Sequence, residues 1–340
     1  MSASARRIEI LAALLACSAG CSSVGGGIQL SELPRDPVAV LYRSEDAASK
    51  RAGAIKDLKG RQQGTGVEGV ARIEDLDAMF GGVPDASKHV AEPGHLALLD
   101  PRTGDATVVE NAPPASRPLG WSPDRRKLLI AGRWRDGTQL FVWDRAAGTA
   151  EIQTSGPNEH PQGCLGVDGR LVAMEVESVG GKKNGRLLVT PKGGGGLRPL
   201  TSGPLDTQPA CSPNEDLVAN VTIGSSGEAT IVVRSLEAPD SPRPVARGSE
   251  PSFTSDGKWI VYSARTTEGR RLFRVRPDGS GRTALGASTQ EESEPAPSPD
   301  GRYVAYVVEA DERTKLWVRR FDGTGDRPLL GDGDGVSPAW

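Results

Sequence analysis

The chain of 340 residues contains 43 glycines and 26 prolines but only 4% aromatic residues, a turn-rich composition that stays below the level of low-complexity disorder. The 41 lysine and arginine residues nearly balance the 44 aspartate and glutamate residues, and the net charge is −3. The composition therefore lacks the excess of positive charge that is typical of nucleic-acid-binding proteins. Beyond residue 20 no apolar run approaches the roughly 18 residues of a membrane-spanning helix, so we do not expect a transporter. Three histidines and four cysteines are few potential metal ligands, so we expect no metal and no other cofactor.

The N-terminus predicts an export signal, which we assign to residues 1–20. Two arginines precede a nine-residue apolar stretch, residues 8–16, that is too short to span a bilayer. A cysteine after such a stretch resembles the lipobox of bacterial lipoproteins, in which the signal is removed before a cysteine that then carries a lipid. We favour Cys17, which has a leucine three residues before it, over Cys21, which has only small residues before it. An ordinary cleaved signal without a lipid is the remaining alternative.

The residue after the lipidated cysteine predicts a location. Either cysteine is followed by serine and not by aspartate, which by the same resemblance indicates the outer membrane. Residues 21–35 then serve as a tether, whose run of serine and glycine is typical of a flexible linker. Residues 36–340 form the folded domain.

That domain repeats a proline-rich segment about every 44 residues. The copies read Pro-x-x-Ser-Pro-Asp or a close relative, and they end at Asp124, Asp168, Asn214, Asp256 and Asp300. Each is followed by a turn, an apolar strand, a polar loop, a second apolar strand and a short outer strand. Four short strands per repeat are the unit of a β-propeller blade, and stacked blades cover both faces of each sheet.

The first repeat is split between the two ends of the chain. Residues 36–42 match a second strand with no first strand before them, and residues 336–340 match a first strand with nothing after them. We therefore expect the C-terminal strand to complete blade one, with residues 95–100 and 107–109 as its outer strands. This arrangement gives an all-β fold, a six-bladed β-propeller.

Residues 44–93 do not fit the repeat. Their apolar residues recur at helical spacing within 45–59 and 68–80, so we interpret this segment as a helical insertion in blade one. A seventh, divergent blade is the alternative, because the distance from Asp36 to Asp124 is 88 residues, twice the period.

These repeats resemble those of TolB-type β-propellers, whose consensus is Pro-x-Trp-Ser-Pro-Asp-Gly, an apolar strand, a loop, a second apolar strand and Asp-Gly. The resemblance covers residues 95–340 and implies a propeller that receives a protein partner at the mouth of its channel. The chain departs from TolB in lacking the α/β domain that precedes the propeller there and in carrying the lipobox pattern. We therefore do not expect a direct role in the Tol–Pal system.

Six polar residues are predicted to surround the mouth of the central channel, one from each blade. Each precedes the proline of a first strand: Arg117, His160, Gln208, Glu250, Glu294 and Ser337. They are either the polar lining of a water-filled mouth or a ring that captures a partner. The helical insertion is a second candidate for a partner surface.

No catalytic machinery is evident. The sequence has no Gly-x-Ser-x-Gly motif and no α/β hydrolase pattern outside the blades, so we expect no enzyme activity. Cys164 and Cys211 fall on neighbouring blades, and we expect two separate buried thiols. The sequence thus predicts a monomeric, lipid-anchored periplasmic scaffold for envelope proteins. The alternative is a propeller that binds a small molecule or glycan, or a hydrolase or lyase whose paired carboxylates are Glu250 and Glu294.

Overall fold

Six four-stranded antiparallel sheets form the described part of the chain. The computed structural model describes residues 27–49, 52, 94–135, 137–179, 182–203, 205–310, 313–330 and 333–340. The predicted signal peptide, and the predicted helical insertion apart from its first residues, lie outside these ranges. Among the described residues, Leu30–Glu32 form a short 3-10 helix, residues 45–49 are helical, and no helix is long and apolar enough to cross a membrane.

The strands follow one another blade by blade. Blade 1 contains β1 (Val38–Arg43), β2 (His95–Leu99), β3 (Ala106–Val108) and β24 (Asp334–Ala339). Blade 2 contains β4 (Arg117–Trp121), β5 (Lys127–Trp134), β6 (Gly137–Asp144) and β7 (Thr149–Ile152). Blade 3 contains β8 (Glu159–Leu165), β9 (Leu171–Val179), β10 (Lys182–Val189) and β11 (Arg198–Pro199). Blade 4 contains β12 (Asp206–Cys211), β13 (Leu217–Ile223), β14 (Ala229–Ser235) and β15 (Arg243–Arg247). Blade 5 contains β16 (Ser249–Phe253), β17 (Ile260–Thr266), β18 (Gly269–Val275) and β19 (Thr283–Ala284). Blade 6 contains β20 (Glu291–Pro297), β21 (Tyr303–Ala310), β22 (Arg313–Arg320) and β23 (Asp326–Pro328).

The ring is closed by both ends of the folded chain, as the split repeat predicts. β24 pairs antiparallel with β1 and becomes the innermost strand of blade 1, in the order β24-β1-β2-β3. This strand also packs against β4 of blade 2 and β20 of blade 6. The propeller therefore has six blades, and the seven-bladed alternative is not adopted.

The apolar core lies between blades. One cluster joins Val40 and Leu99 of blade 1 to Tyr303 and Val318 of blade 6. Others join successive pairs of blades in the same way, because each sheet must bury both faces of its alternating strands. Closure by β24 thus completes the last of these interfaces and holds the ring of first strands around one axis.

The repeated Ser-Pro-Asp segment builds the turn between first and second strands. In blade 6 the Ser298 hydroxyl donates to Asp300 Oδ1 (2.6 Å) and accepts the backbone N–H of Tyr303 (2.9 Å). Blades 2 and 5 form the same pair of hydrogen bonds. The motif recurs because a short hydroxyl side chain can bond both the carboxylate two residues later and a backbone N–H across the turn.

The expectation of two separate thiols is wrong. Cys164 in β8 and Cys211 in β12 form a disulfide between blades 3 and 4, with their Cα atoms 5.5 Å apart. Both lie on innermost strands, where neighbouring blades approach most closely around the axis. Equivalent positions on the outer strands of neighbouring blades are too far apart for a disulfide, whereas those on the innermost strands are close enough.

Candidate functional site

The first strands of the six blades enclose a central channel of about 910 Å³. At the end where these strands finish, its wall carries the aromatic residues Trp121, Phe253 and Trp340, together with Arg125 and Asp256. Toward the end where they begin, the wall carries the charged residues Arg43 and Glu309. The channel thus has an aromatic mouth and an opposite mouth without these aromatic residues, with charged residues at both and the polar ring between them.

Five of the six predicted ring residues line this channel: Arg117, Gln208, Glu250, Glu294 and Ser337. The sixth, His160, lies away from the channel, buried between blades 2 and 3 with 4% of its surface exposed. Gln162 takes its place in the wall. β8 has a bulge between Glu159 and Gln162 like those in the first strands of blades 4, 5 and 6, but His160 does not adopt the left-handed φ of the ring residues at those bulges.

His160 is part of a buried polar cluster. Its Nδ1 lies 2.9 Å from Gln139 Oε1, which also accepts a hydrogen bond from the Thr154 hydroxyl (2.7 Å). Because the Gln139 amide nitrogen donates to a backbone carbonyl, its oxygen is an acceptor and His160 Nδ1 is the donor. Burial lowers the pKa of His160, against the opposing charge of Glu175, and the hydrogen bond to Gln139 joins blades 2 and 3.

A relay of hydrogen bonds connects the ring residues from blade to blade. In each step the side chain of one ring residue accepts the backbone N–H of the next. Gln162 accepts from Gln208, Gln208 from Glu250 and Glu250 from Glu294, each at 2.8 Å, and Glu294 accepts from Ser337. The relay runs from blade 3 to blade 1, so these side chains join inner strands as well as lining the channel.

Backbone strain accompanies this relay. Gln208, Glu250, Glu294 and Ser337 have φ between 50° and 57°, the left-handed region that residues other than glycine rarely adopt. Such a conformation costs on the order of 1 kcal/mol or more for each residue. Each lies at a bulge in its first strand, and the side chains of Gln208, Glu250 and Glu294 reach the backbone of the neighbouring blade. The four strained residues are therefore held by the bonds that they make in sequence.

Arg117 departs from the pattern. Its guanidinium Nη2 donates to the backbone carbonyl of Pro161 in blade 3 at 3.2 Å, so blade 2 joins the ring through a side-chain donor. Burial lowers the pKa of Arg117, against the opposing charges of Glu294 and Glu250.

The two ring carboxylates have different surroundings. Glu250 Oε2 accepts a hydrogen bond from the Ser263 hydroxyl (2.7 Å) in addition to the relay, and Oε1 lies 3.6 Å from Arg270 Nη1. Burial and the charge of Glu250 raise the pKa of Glu294, although the Ser337 N–H, Arg117 and Arg270 act in the opposite direction. The Glu250 charge is thus neutralised locally, whereas the Glu294 charge is not.

Reasoning from the sequence missed Gln162, Ser263 and Arg270. The repeat itself could have found Gln162, because the relay partners are separated by 46, 42, 44 and 43 residues, close to the period. Ser263 and Arg270 lie on second and third strands, and nothing in their local sequence marks them. No group of three or more potential metal ligands occurs in the part of the chain that the structure describes.

Comparisons with known proteins show the fold. No family model matches the chain. Among curated proteins, the uncharacterized peptidase YuxL of Bacillus subtilis (strain 168) is 24% identical over 176 residues, which is 51% of this chain and 25% of YuxL. The chain thus matches about a quarter of the length of that relative.

Several solved structures share the architecture. A chain assigned as TolB from Agrobacterium tumefaciens has a TM-score of 0.59 at 22% identity, over 70% of this chain and 89% of that one. TolB from Acinetobacter baumannii has a TM-score of 0.63 at 15% identity, over 90% of this chain and 66% of that one, just under two thirds of its length. An oligogalacturonate lyase in complex with manganese has a TM-score of 0.52 at 18% identity, over 70% of each chain. The chain is therefore a six-bladed β-propeller whose structural neighbours include TolB proteins.

Proposed function

We propose that this propeller is exported, anchored by an N-terminal lipid, and binds a segment of another cell-envelope protein in its central channel, as a scaffold and not as an enzyme. The observation that carries the proposal is the channel wall. Five predicted ring residues from different blades converge there, next to an aromatic mouth lined by Trp121, Phe253 and Trp340. Aromatic and polar groups side by side suit a peptide, whose backbone is polar and whose side chains are partly apolar.

Two independent features support the proposed location. The apolar stretch before Cys17 and Cys21 is typical of an export signal with a lipidated cysteine. The disulfide between Cys164 and Cys211 supports an oxidising compartment, since such bonds are rare where thiols are kept reduced. Both features favour the periplasm, and the serine after either cysteine favours the outer membrane.

A second candidate is a glycan-binding propeller with hydrolase or lyase activity. It is favoured by the carboxylates of Glu250 and Glu294 on adjacent blades and by the shared architecture of the oligogalacturonate lyase. Against it, one oxygen of each carboxylate is already used by the ring, since Glu250 Oε2 accepts two hydrogen bonds and Glu294 Oε2 accepts one, and the other oxygen of Glu250 lies 3.6 Å from Arg270 Nη1. A general acid and base need oxygens that can reach a substrate proton.

Site-specific photocrosslinking in living cells tests the channel. A benzophenone side chain at Ser252, in the channel wall of blade 5, is compared with one at Ser280, on an exposed turn of the same blade. We expect one discrete protein adduct from position 252 and none from position 280. Adducts from position 280 alone, or equal labelling from both, would move the interface away from the channel.

Lipid attachment is tested separately. Metabolic labelling with an alkyne fatty acid is compared in the wild type, Cys17→Ser and Cys21→Ser. We expect labelling to be lost in Cys17→Ser and kept in Cys21→Ser. The converse pattern would assign the lipid to Cys21, and an unlabelled wild type would refute the anchor.

A further inference from the structure

Exposed apolar side chains are concentrated on two neighbouring blades. Among the described residues, four large hydrophobic side chains are exposed, and three of them, Val108, Trp134 and Ile152, belong to blades 1 and 2. The fourth, Val167, lies in the turn between β8 and β9 of blade 3. Val108 and Ile152 lie in β3 and β7, the outermost strands of their blades. Apolar side chains that gather on one part of a surface mark a place where a partner removes them from water.

The two apolar side chains of blade 2 share one face of its sheet. Trp134 ends β5, and its ring meets that of Phe141 edge to face, with the centroids 6.1 Å apart. Phe141 is paired with Ile152 across β6 and β7, and paired residues project from the same face of a sheet. Phe141 belongs to the apolar cluster that joins blade 2 to blade 1. Trp134 and Ile152 therefore lie on the side of blade 2 that faces blade 1.

Two arginines flank the exposed tryptophan. Arg133 and Arg135 are both exposed, and neither guanidinium makes a hydrogen bond or an ion pair with another described residue. An exposed indole with a guanidinium on each side suits the interface of a bilayer, where the ring lies among the headgroups and arginine binds lipid phosphates. Glu110 and Glu151 are also exposed on these blades, so the surface has no excess of positive charge. It is therefore suited to the phosphates of zwitterionic and anionic lipids alike.

The segment that leads to the proposed lipid anchor leaves the propeller next to blade 1. Ile28 and Leu33 are buried in the apolar cluster that joins blades 1 and 6. The Ile28 carbonyl accepts a hydrogen bond from Arg327 in β23 at 3.0 Å, and the Leu33 carbonyl accepts one from Arg102, in the turn between β2 and β3, at 2.7 Å. The chain between Cys17 and Ile28 spans at most about 40 Å when fully extended. The anchor thus keeps blade 1 close to the bilayer.

We propose that Val108, Trp134 and Ile152, with the two flanking arginines, form a membrane-docking surface for the bilayer that holds the lipid anchor. The inference rests on the anchor of the proposed function and adds the orientation of the propeller. Because the anchor raises the effective concentration of the membrane, a small apolar surface is sufficient for docking. Trp134 extends β5 beyond Ala131, the partner of Arg117 at the start of β4, and so lies away from Trp121 at the aromatic mouth. Docking therefore leaves that mouth open to a protein partner.

Two exposed valines provide a matched pair for the test. Val108 on the proposed surface is 46% exposed, and Val167 in blade 3 is 42% exposed. An azide-bearing amino acid is introduced at either position and coupled to a nitrobenzoxadiazole fluorophore. The full lipidated protein is then reconstituted in vesicles of phosphatidylethanolamine and phosphatidylglycerol that contain a lipid with a spin label on its headgroup. We expect quenching at position 108 to be at least about threefold stronger than at position 167.

A double variant separates docking from anchoring. With the fluorophore at position 108, Trp134→Ser combined with Ile152→Ser should lower the quenching at least about twofold, because the apolar side chains no longer enter the headgroup region. The protein should still float with the vesicles, since the lipid is unchanged. Val167→Ser is the control and should leave the quenching at position 108 unchanged. Thermal melts verify that each variant is folded.

Four results would overturn the docking surface. Equal quenching at positions 108 and 167, or quenching at position 108 that the double variant leaves unchanged, would refute it in protein that floats with the vesicles, and the anchor would stand. Protein that does not float would refute the anchor and the docking surface together. A benzophenone at position 134 that crosslinks one discrete protein in cells, and no lipid, would assign the surface to a protein partner. Binding in the channel is tested separately at position 252.

Discussion

Removal of the Cys164–Cys211 disulfide should lower stability without opening the ring. The bond joins positions 47 residues apart, and the loop-entropy relation for a loop of that length gives about 4 kcal/mol at 25 °C. The apolar contacts between blades 3 and 4 stay in place, among them Val172 and Met174 against Val218. For a chain of this size such a loss corresponds to a fall in Tm of roughly 10 °C.

The assay is urea unfolding followed by tryptophan fluorescence, with and without a reductant. The double variant Cys164→Ser with Cys211→Ser should unfold about 2–4 kcal/mol more easily than the oxidised wild type and should not respond to reductant. The reduced wild type should approach the double variant. Equal stability of oxidised and reduced wild type to within about 0.5 kcal/mol, with thiol titration proving reduction, would refute the reasoning.

Three further perturbations test closure, the ring and a buried ion pair. Trp340→Ala should lower the free energy of unfolding by about 3–5 kcal/mol, because this side chain is only 7% exposed and follows the closing strand. Trp340→Phe should lower it by about 1 kcal/mol, because it loses only the hydrogen bond from Nε1 to the Asp36 carbonyl. Thermal melts compare the two variants. The pKa of Glu294 is higher in the folded protein than its unfolded value of about 4.5. The stability that Glu294 contributes is therefore fully present below that unfolded pKa and is lost as the pH rises through the folded pKa. The stability of Glu294→Gln relative to the wild type should therefore increase between pH 5 and 8. Free energies of unfolding are measured for both proteins across that range, and two parallel curves would contradict this assignment. Arg319→Met should lower the free energy of unfolding in urea by about 3–5 kcal/mol, because it leaves the buried Glu292 carboxylate, 2% exposed and 2.7 Å away, without its ion-pair partner. Adding Glu292→Met should recover most of this loss.

Much of the fold could be predicted from the sequence because the information is periodic and local. The Ser-Pro-Asp turn closes through hydrogen bonds from the serine hydroxyl to the carboxylate two residues later and from the backbone N–H five residues later to the hydroxyl, so the motif marks the turn locally. The split repeat at residues 36–42 and 336–340 predicted the β24–β1 pairing, since an unpaired first strand and an unpaired second strand each need a partner.

The candidate site was predicted less completely. Five ring residues were identified, because one position per period must face the axis. His160 was placed in the ring by the proline after it, but it lacks the left-handed backbone that the other ring residues adopt at the same bulge, and Gln162 lines the channel instead. The backbone conformation at such a bulge depends on bonds to neighbouring blades, which the local sequence does not show. The predicted role of the six residues in partner binding stays a prediction.

The sequence by itself determined the propeller fold, the strand order and the way in which the ring closes, whereas the tertiary structure decided for six blades and against seven. The first three follow from hydrophobic periodicity and turn chemistry, which act over a few residues and repeat. Only the tertiary structure decided the disulfide and the relay from Gln162 to Ser337. Each of these depends on distances between side chains of different blades, which ring closure fixes and which no local pattern encodes.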